Sequence, residues 1–509
     1  MPSAHSVSSG APCRAAVHRP SRPEAVRTSA RPLPVSTPAE QGVDASGITA
    51  FLDAVESAPD IEPHSLMILR HGHLVASGWW APYTPERLQL LYSLSKSFTS
   101  TAAGLAAAEG LLDLDEPVLS YFPEFDADIT DPRSRALLVR HVAAMASGHL
   151  VDTWGDAVLL DPKETVRGFL LIPPDREPGT VFAYNQSATY ALASIVQKVT
   201  GQSLTGWLRT RLFDPLGIGE TAWTRNRAGR EIGFSGMHAA TDAIARLGQL
   251  YLGQGIWEGR RILPASWISE ATRAHVSTAD GSPEGARSDW QQGYGLQFWR
   301  SRHGYRGDGA YGQFCVVLPE HDAVIATTAA TEQLQELLNL MWRHLLPVFG
   351  TAPLPAQDHG GADEALGRRL ARLALPPVAA TPEPAGRTHV WSDTAFTPAG
   401  GHCDAVPTLT RVLVADGDQG RRVTLVEGDT RLDLRLGTGW TLDEGPAPTA
   451  VSGGWTDPDT LSVDVLFVET PHRLTVTCSL PDGTFTARWH TTPLHARSLH
   501  SLRAPSYPA

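Results

Sequence analysis

Lysine is almost absent from this chain: of its 42 Lys and Arg residues, only Lys96, Lys163 and Lys198 are lysines. Arginine can replace lysine wherever the task is to carry positive charge. It cannot replace a lysine that must release its proton, because the guanidinium stays protonated at any accessible pH. Lys96 stands three residues after Ser93 in Leu91-Tyr92-Ser93-Leu94-Ser95-Lys96, an S-x-x-K. On a helix that spacing puts a hydroxyl and an amine one turn apart on the same face. A serine nucleophile needs that arrangement when its base is a lysine. Lys163 follows Asp161-Pro162 and Lys198 precedes Thr200-Gly201 near a helix end, both surface-like settings. Alone, S-x-x-K is a weak signal, and its context must decide.

The elements around it are suited to positioning such a pair. Ser65–Arg70 and Leu74–Trp79 flank His71-Gly72-His73 and read as a β-hairpin. Residues 97–112 are rich in Ala, Leu and Thr and contain no proline, which predicts a nearly all-apolar, buried helix. At its start the helix N-terminus favours developing negative charge, and desolvation lowers the lysine pKa. A second constellation, Glu177-Pro178-Gly179-Thr180-Val181-Phe182-Ala183-Tyr184-Asn185-Gln186-Ser187, turns at Pro-Gly and leads into a helix closed by Thr200-Gly201. A third, Tyr305-Arg306-Gly307-Asp308-Gly309-Ala310-Tyr311-Gly312, leads into Gln313–Leu318 and, past Pro319–Asp322, into Ala323–Thr327. This reads as a hairpin whose first strand opens with glycines, as expected where backbone approaches a ligand closely.

In this order and at these separations, the three resemble the active-site motifs of the serine β-lactamase and penicillin-binding protein superfamily, on its class C and esterase side. The resemblance covers roughly residues 40 to 350, including Val139–His149, Leu212–Ile218 and Arg246–Leu252. It implies an α/β (α+β) β-lactamase/transpeptidase-like catalytic domain. It further implies Ser93 as the acylated nucleophile, Lys96 as its base, and Tyr184 as the tyrosine of a Y-x-N motif, acting as phenolate or through a proton shared with Lys96. Gly307-Asp308-Gly309 would be the strand beside the substrate, and the N–H groups of Ser93 and Ala310 would form the oxyanion hole.

Two departures bear on substrate. Gln186 occupies the asparagine position of Y-x-N, with Asn185 one place early, and both are expected to contact substrate. Gly307 replaces the Lys or His of the third motif, which in relatives acting on β-lactams or D-Ala-D-Ala peptides helps bind a carboxylate. The motif keeps one cationic neighbour, Arg306, expected on the opposite face of the strand from Gly307. An anionic β-lactam should therefore be a poor substrate, and a neutral ester, amide or peptide a better one.

A chain of 509 residues is long enough for two substantial cores. Its net charge of -12 argues against a nucleic-acid partner. Cys13, Cys315, Cys403 and Cys478 form no close-spaced pair, so neither a zinc site nor a disulfide framework is expected. Cys315 reads as a small core residue. No apolar run reaches the roughly 18 residues of a membrane span, and no secretory h-region precedes the catalytic motifs. A cytoplasmic location is expected on that ground, with export open if the start is misassigned.

The organisation expected is a disordered tail at 1–38, a catalytic domain at 39–350, a Pro- and Ala-rich linker at 351–388 and a β-domain at 389–509. A helix at Glu332–Leu346 should close the catalytic domain, and a short helical patch at Glu364–Leu375 should interrupt the linker. Beyond His389 the pattern has period two, in Arg411–Ala415, Arg422–Val426, Thr430–Leu436, Leu461–Val468, Arg473–Cys478 and Thr484–Trp489. About eight short antiparallel strands suggest a lipocalin-like barrel or a sandwich. Trp391, Trp440, Trp455 and Trp489 are expected in its core rather than in a ligand cage. The β-domain could cover the active-site mouth, restrict substrate size or mediate homodimerisation.

The expected activity is metal-independent and cofactor-free hydrolysis of an ester or amide through a Ser93 acyl-enzyme. The rivals are a transacylase or peptide cyclase using the same intermediate, and a non-catalytic acyl- or peptide-binding protein on the same fold.

Overall fold

A computed structural model describes residues 32–381, 393–417, 420–437, 439–495 and 498–506. Cys13, Trp391, residues 1–31 of the expected tail and residues 382–388 of the expected linker lie outside the described residues.

The catalytic part is a six-stranded antiparallel sheet covered on both faces. In chain order its strands are β1 (Glu62–Arg70), β2 (His73–Trp79), β3 (Trp299–Arg300), β4 (Tyr305–Gly309), β5 (Gln313–Leu318) and β6 (Ala323–Ala330), arranged β2-β1-β6-β5-β4-β3. The first hairpin forms as expected, with Arg70 opposite His73. β1, β5 and β6 are buried along their whole length. That is why Leu66–Leu69, Phe314–Leu318 and Ala323–Ala326 read as continuous apolar runs rather than alternating ones.

The longest helices of this part are α1 (Ala45–Ser57), α2 (Ser95–Ala108), α3 (Gln186–Thr200), α4 (Thr241–Leu252), α5 (Leu334–His344) and α6 (Ala356–Leu370). Residues of α2, α3 and α4 share one core with Met67, Leu69, Cys315 and Val317. Residues of α1, α5 and α6 share another with Leu66, Ile68, Phe314 and Val316, on the opposite sheet face. Cys315 is fully buried, its Sγ donating to the Ile244 carbonyl at 3.3 Å, and burial pushes its thiol up to about 12.

The segment read as a linker differs from expectation where it is described. Its helix starts at Ala356 rather than Glu364, and Leu366, Leu373 and Leu375 are buried against α1 and β2. Gly360 and Gly361 lower the intrinsic propensity of the first turns, and docking of the leucine face supplies what propensity lacks.

The C-terminal part is a nearly closed nine-stranded sheet: β7 (Thr394–Pro398), β8 (Leu409–Gly417), β9 (Gly420–Glu427), β10 (Thr430–Arg435), β11 (Thr441–Asp443), β12 (Thr449–Asp457), β13 (Thr460–Phe467), β14 (His472–Ser479) and β15 (Thr484–Trp489). Its order is β10-β9-β8-β7-β15-β14-β13-β12-β11, antiparallel except where β7 meets β15. Alternate residues such as Val463, Val465, Leu474 and Val476 fill the interior. Trp455 is buried there and Trp489 packs against it, whereas Trp440 packs on the catalytic part, its Nε1 donating to the Leu375 carbonyl at 2.9 Å. The two parts also meet through Arg473 and Glu62 at 2.9 Å and through the Leu90 N–H, which donates to the Glu469 carbonyl at 2.9 Å. Among the described residues no helix is long and apolar enough to cross a membrane.

Candidate active site

Ser93 lies in a 3₁₀ turn, Tyr92–Leu94, that runs directly into α2. Tyr92 enters the turn with φ of 48°. A bulky residue in the left-handed region costs about 1 to 3 kcal/mol and persists only where its surroundings over-determine it. Ser95 fixes the turn from within: its hydroxyl donates to the Tyr92 carbonyl at 2.6 Å and accepts from the Met237 N–H at 3.0 Å. α2 is buried from Ser95 to Leu105, so Lys96 emerges inside the protein, only 1% exposed. Its Nζ donates to Ser93 Oγ at 3.2 Å, to Gln186 Oε1 at 2.7 Å and to the Phe234 carbonyl at 2.8 Å. Burial pushes the amine down to about 7, against the opposing pull of the Asp152 and Asp308 carboxylates.

The second motif supplies the rest of that pocket. Tyr184 faces the same pocket: its ring lies 4.6 Å from Lys96 Nζ, and it stacks on Trp299 with centroids 5.7 Å apart. Burial raises its phenol well above the ordinary value. Burial thus favours the phenol over the phenolate. Gln186 opens α3 and turns its amide oxygen to Lys96. Asn185 does not reach the cleft: fully buried, its Oδ1 caps α3 by accepting from the Ser187 N–H at 3.0 Å and from Thr153 Oγ1 at 3.1 Å. An Asx residue one place before the helix satisfies an orphan N–H there, so Asn185 is a cap and the amide in the site belongs to Gln186.

The third motif packs face-on against the nucleophile turn. A Cβ at Gly307 would lie 2.4 Å from Leu94 Cδ1 and 2.7 Å from Ser97 Oγ, and one at Gly309 would lie 2.2 Å from the Leu91 carbonyl oxygen. There is no room at 307 for the Lys or His of the related motif, so Gly307 and Gly309 serve close backbone approach rather than side-chain contact. Arg306 lies on the other face of β4, as alternation predicts, and is fully buried. Its Nε donates to Asp308 Oδ2 at 2.7 Å, and its Nη1 to Ser301 Oγ at 2.6 Å and the Asp289 carbonyl at 2.8 Å. Arg306 and Asp308 thus neutralise each other. Ala310 sits in the turn after β4, its carbonyl accepting from Gln313 Nε2 at 3.1 Å, and Tyr311 follows with φ of 68°.

Several groups at this site carry no signal in the sequence. Phe234 contributes its carbonyl and a ring 5.7 Å from Lys96 Nζ, and Asp152, whose Oδ1 accepts from the Gln186 N–H at 2.9 Å, lies in an exposed loop without a motif. His472 of the β-domain accepts a hydrogen bond from Tyr92 at 2.6 Å. A cavity of about 520 Å³ opens beside the turn, lined by Tyr92, Trp154, Ile232 and Phe234 from one part and by His495 and Leu502 from the other.

A covered antiparallel sheet, an S-x-x-K at the start of a buried helix, a tyrosine at the head of a second and a glycine strand against the first define the serine β-lactamase and penicillin-binding-protein superfamily. A model of the Beta-lactamase family matches residues 53–347, and the chain belongs to that family. A 6-aminohexanoate-dimer hydrolase of Paenarthrobacter ureafaciens is 27% identical over 309 residues, 57% of this chain and 78% of that protein. A lovastatin esterase of Penicillium rubens is 28% identical over 189 residues, 32% of this chain and 47% of that protein. A Bacillus anthracis protein, provisionally named a 6-aminohexanoate-dimer hydrolase, shares the fold with a TM-score of 0.51 at 19% identity, covering 62% of this chain and 87% of its own. Relatives named as a hydrolase, as esterases and as β-lactamases support a hydrolase of the family.

Proposed function

We propose that the protein is a serine hydrolase that cleaves a neutral ester or amide through an acyl-enzyme on Ser93. The observation that carries this reading is Lys96 Nζ, 3.2 Å from Ser93 Oγ and pushed down to about 7 by burial. In its neutral form the amine takes the Ser93 proton as Oγ attacks the substrate carbonyl. The N–H groups of Ser93 and Ala310 hold the resulting oxyanion, a contribution of several kcal/mol for aligned donors in a dry site. The leaving alcohol or amine departs with a proton passed from Lys96 through the Tyr184 phenol. Water, deprotonated by the same pair, then attacks the acyl ester, releases the acid and restores Ser93. The Arg306–Asp308 pair and the lack of room for a side chain at Gly307 leave the third motif without a free cation, which disfavours an anionic β-lactam.

The test is intact-mass spectrometry after incubation with a fluorophosphonate. Wild type is expected to take one adduct and Ser93→Ala none; an unlabelled wild type would overturn the reading. The packing of the β-domain on the nucleophile turn favours a second reading, transfer of the acyl group to an amine or alcohol, which acceptor-dependent product formation would reveal.

The base assignment predicts a pH dependence with a definite sign. Only neutral Lys96 accepts the proton, so kcat/KM is expected to rise with pH through about 7 and then level off. The Asp152 charge favours the protonated amine. In Asp152→Asn the limb should therefore move to lower pH, with the plateau within a few-fold of wild type. A limb that stays in place or moves upward would show that a group other than Lys96 titrates.

A further inference from the structure

The β-domain reaches the catalytic part at the two tyrosines that flank the amides assigned to the oxyanion. Tyr92 immediately precedes Ser93, and Tyr311 immediately follows Ala310. Both hold left-handed backbone, with φ of 48° and 68°, which large residues adopt only where something holds them there. What holds their hydroxyls comes from the β-domain. The Tyr92 hydroxyl donates to His472 Nε2 at 2.6 Å and accepts from the Leu494 N–H at 3.4 Å. His472 Nδ1 meets the Thr491 carbonyl at 2.8 Å. A carbonyl only accepts, so the ring proton is on Nδ1 and Nε2 is the acceptor. The Tyr311 hydroxyl donates to the Thr492 carbonyl. The imidazole stands edge-on to both phenol rings, with centroids 5.9 and 5.4 Å away, and the two phenols lie 5.4 Å apart. Burial pushes the imidazole down to about 3, so it stays neutral around pH 7 and keeps its acceptor.

We propose that the β-domain is a working part of the catalytic centre: His472 and the Thr492 carbonyl hold Tyr92 and Tyr311 in the left-handed geometry that aims the Ser93 and Ala310 amides at the substrate carbonyl. His472 is thus a positioning residue, acting through Tyr92 without touching substrate. The inference rests on the acyl-enzyme reading above.

The test uses the full chain and two readouts: the second-order rate of fluorophosphonate labelling, and kcat and KM for a p-nitrophenyl ester. His472→Ala and Tyr311→Phe are each expected to slow labelling and lower kcat about tenfold with KM within twofold, the effect of one lost buried hydrogen bond on transition-state geometry. His472→Gln, which keeps a donor and an acceptor, should recover most of the rate. Arg87→Ala removes the interdomain pair with Glu444 at 2.9 and 2.5 Å and is expected to label at the wild-type rate. If His472→Ala does not fold, Tyr311→Phe still decides, since it deletes one hydroxyl from a ring that stays packed. A labelled wild type with Tyr311→Phe at the same rate would overturn the inference alone; a wild type that takes no label would overturn the acyl-enzyme reading and this inference with it.

Discussion

Lys96→Arg is expected to lower kcat/KM for a p-nitrophenyl ester by about 10³-fold, within the range that loss of a positioned general base produces. Arginine keeps the charge but cannot give up its proton, so the variant isolates base chemistry from electrostatics. Its bulk adds a second cost: Lys96 is fully enclosed by Ser93, Gln186 and Phe234, and overpacking such a site costs about 1 to 3 kcal/mol. Lys96→Met separates the two effects. A pKa lowered from 10.5 to about 7 means that the folded protein disfavours the charged amine, by a free energy on the order of 5 kcal/mol. That penalty is fully present below pH about 7, shrinks as pH rises and vanishes above 10.5, where the unfolded lysine is neutral too. Lys96→Met should therefore melt at or above the wild-type temperature at pH 6 while being as inactive as Lys96→Arg. A Lys96→Arg protein retaining more than a tenth of wild-type kcat/KM would show that the residue serves as a charge and not as a base.

Much of this arrangement was legible because its signals are local. Ser93 and Lys96 are one helical turn apart, the glycines of the third motif stand in one strand, and the period of two in Thr460–Phe467 and His472–Ser479 marks half-buried strands. Three kinds of information were not local. β12 escaped the pattern because Gly453 and Gly454 interrupt it, and the reason for them is tertiary: a Cβ at Gly454 would lie 2.5 Å from that of Ala380, in the segment crossing from the catalytic part. Asn185 and Gln186 are adjacent amides, and only the start of α3 decides that one caps the helix while the other faces Lys96. His472 lies 380 residues from Tyr92, on a strand whose alternation predicts an inward side chain but not that this one meets the nucleophile turn.

The strongest test of that close packing is Gly309→Ala, a single methyl expected to lower kcat/KM about 10²-fold and stability by about 1 to 3 kcal/mol. The new Cβ would lie 2.2 Å from the Leu91 carbonyl oxygen, 2.9 Å from Gln313 Cβ and 3.1 Å from the Leu94 amide nitrogen. Two of those three atoms are backbone of the turn that carries Ser93, and that turn is pinned in place, the Leu91 N–H donating to the Met237 carbonyl at 2.8 Å. It cannot yield by rotating a side chain, so either β4 or the nucleophile must move. Gly307→Ala meets a leucine methyl and a serine hydroxyl instead, both able to change rotamer, and should cost less on both measures. Gly219→Ala, where nothing lies within 4 Å, sets the baseline. Steady-state kinetics and thermal melts of the three variants order these effects. Gly309→Ala within threefold of wild-type kcat/KM would mean that the third-motif strand does not set the position of Ser93.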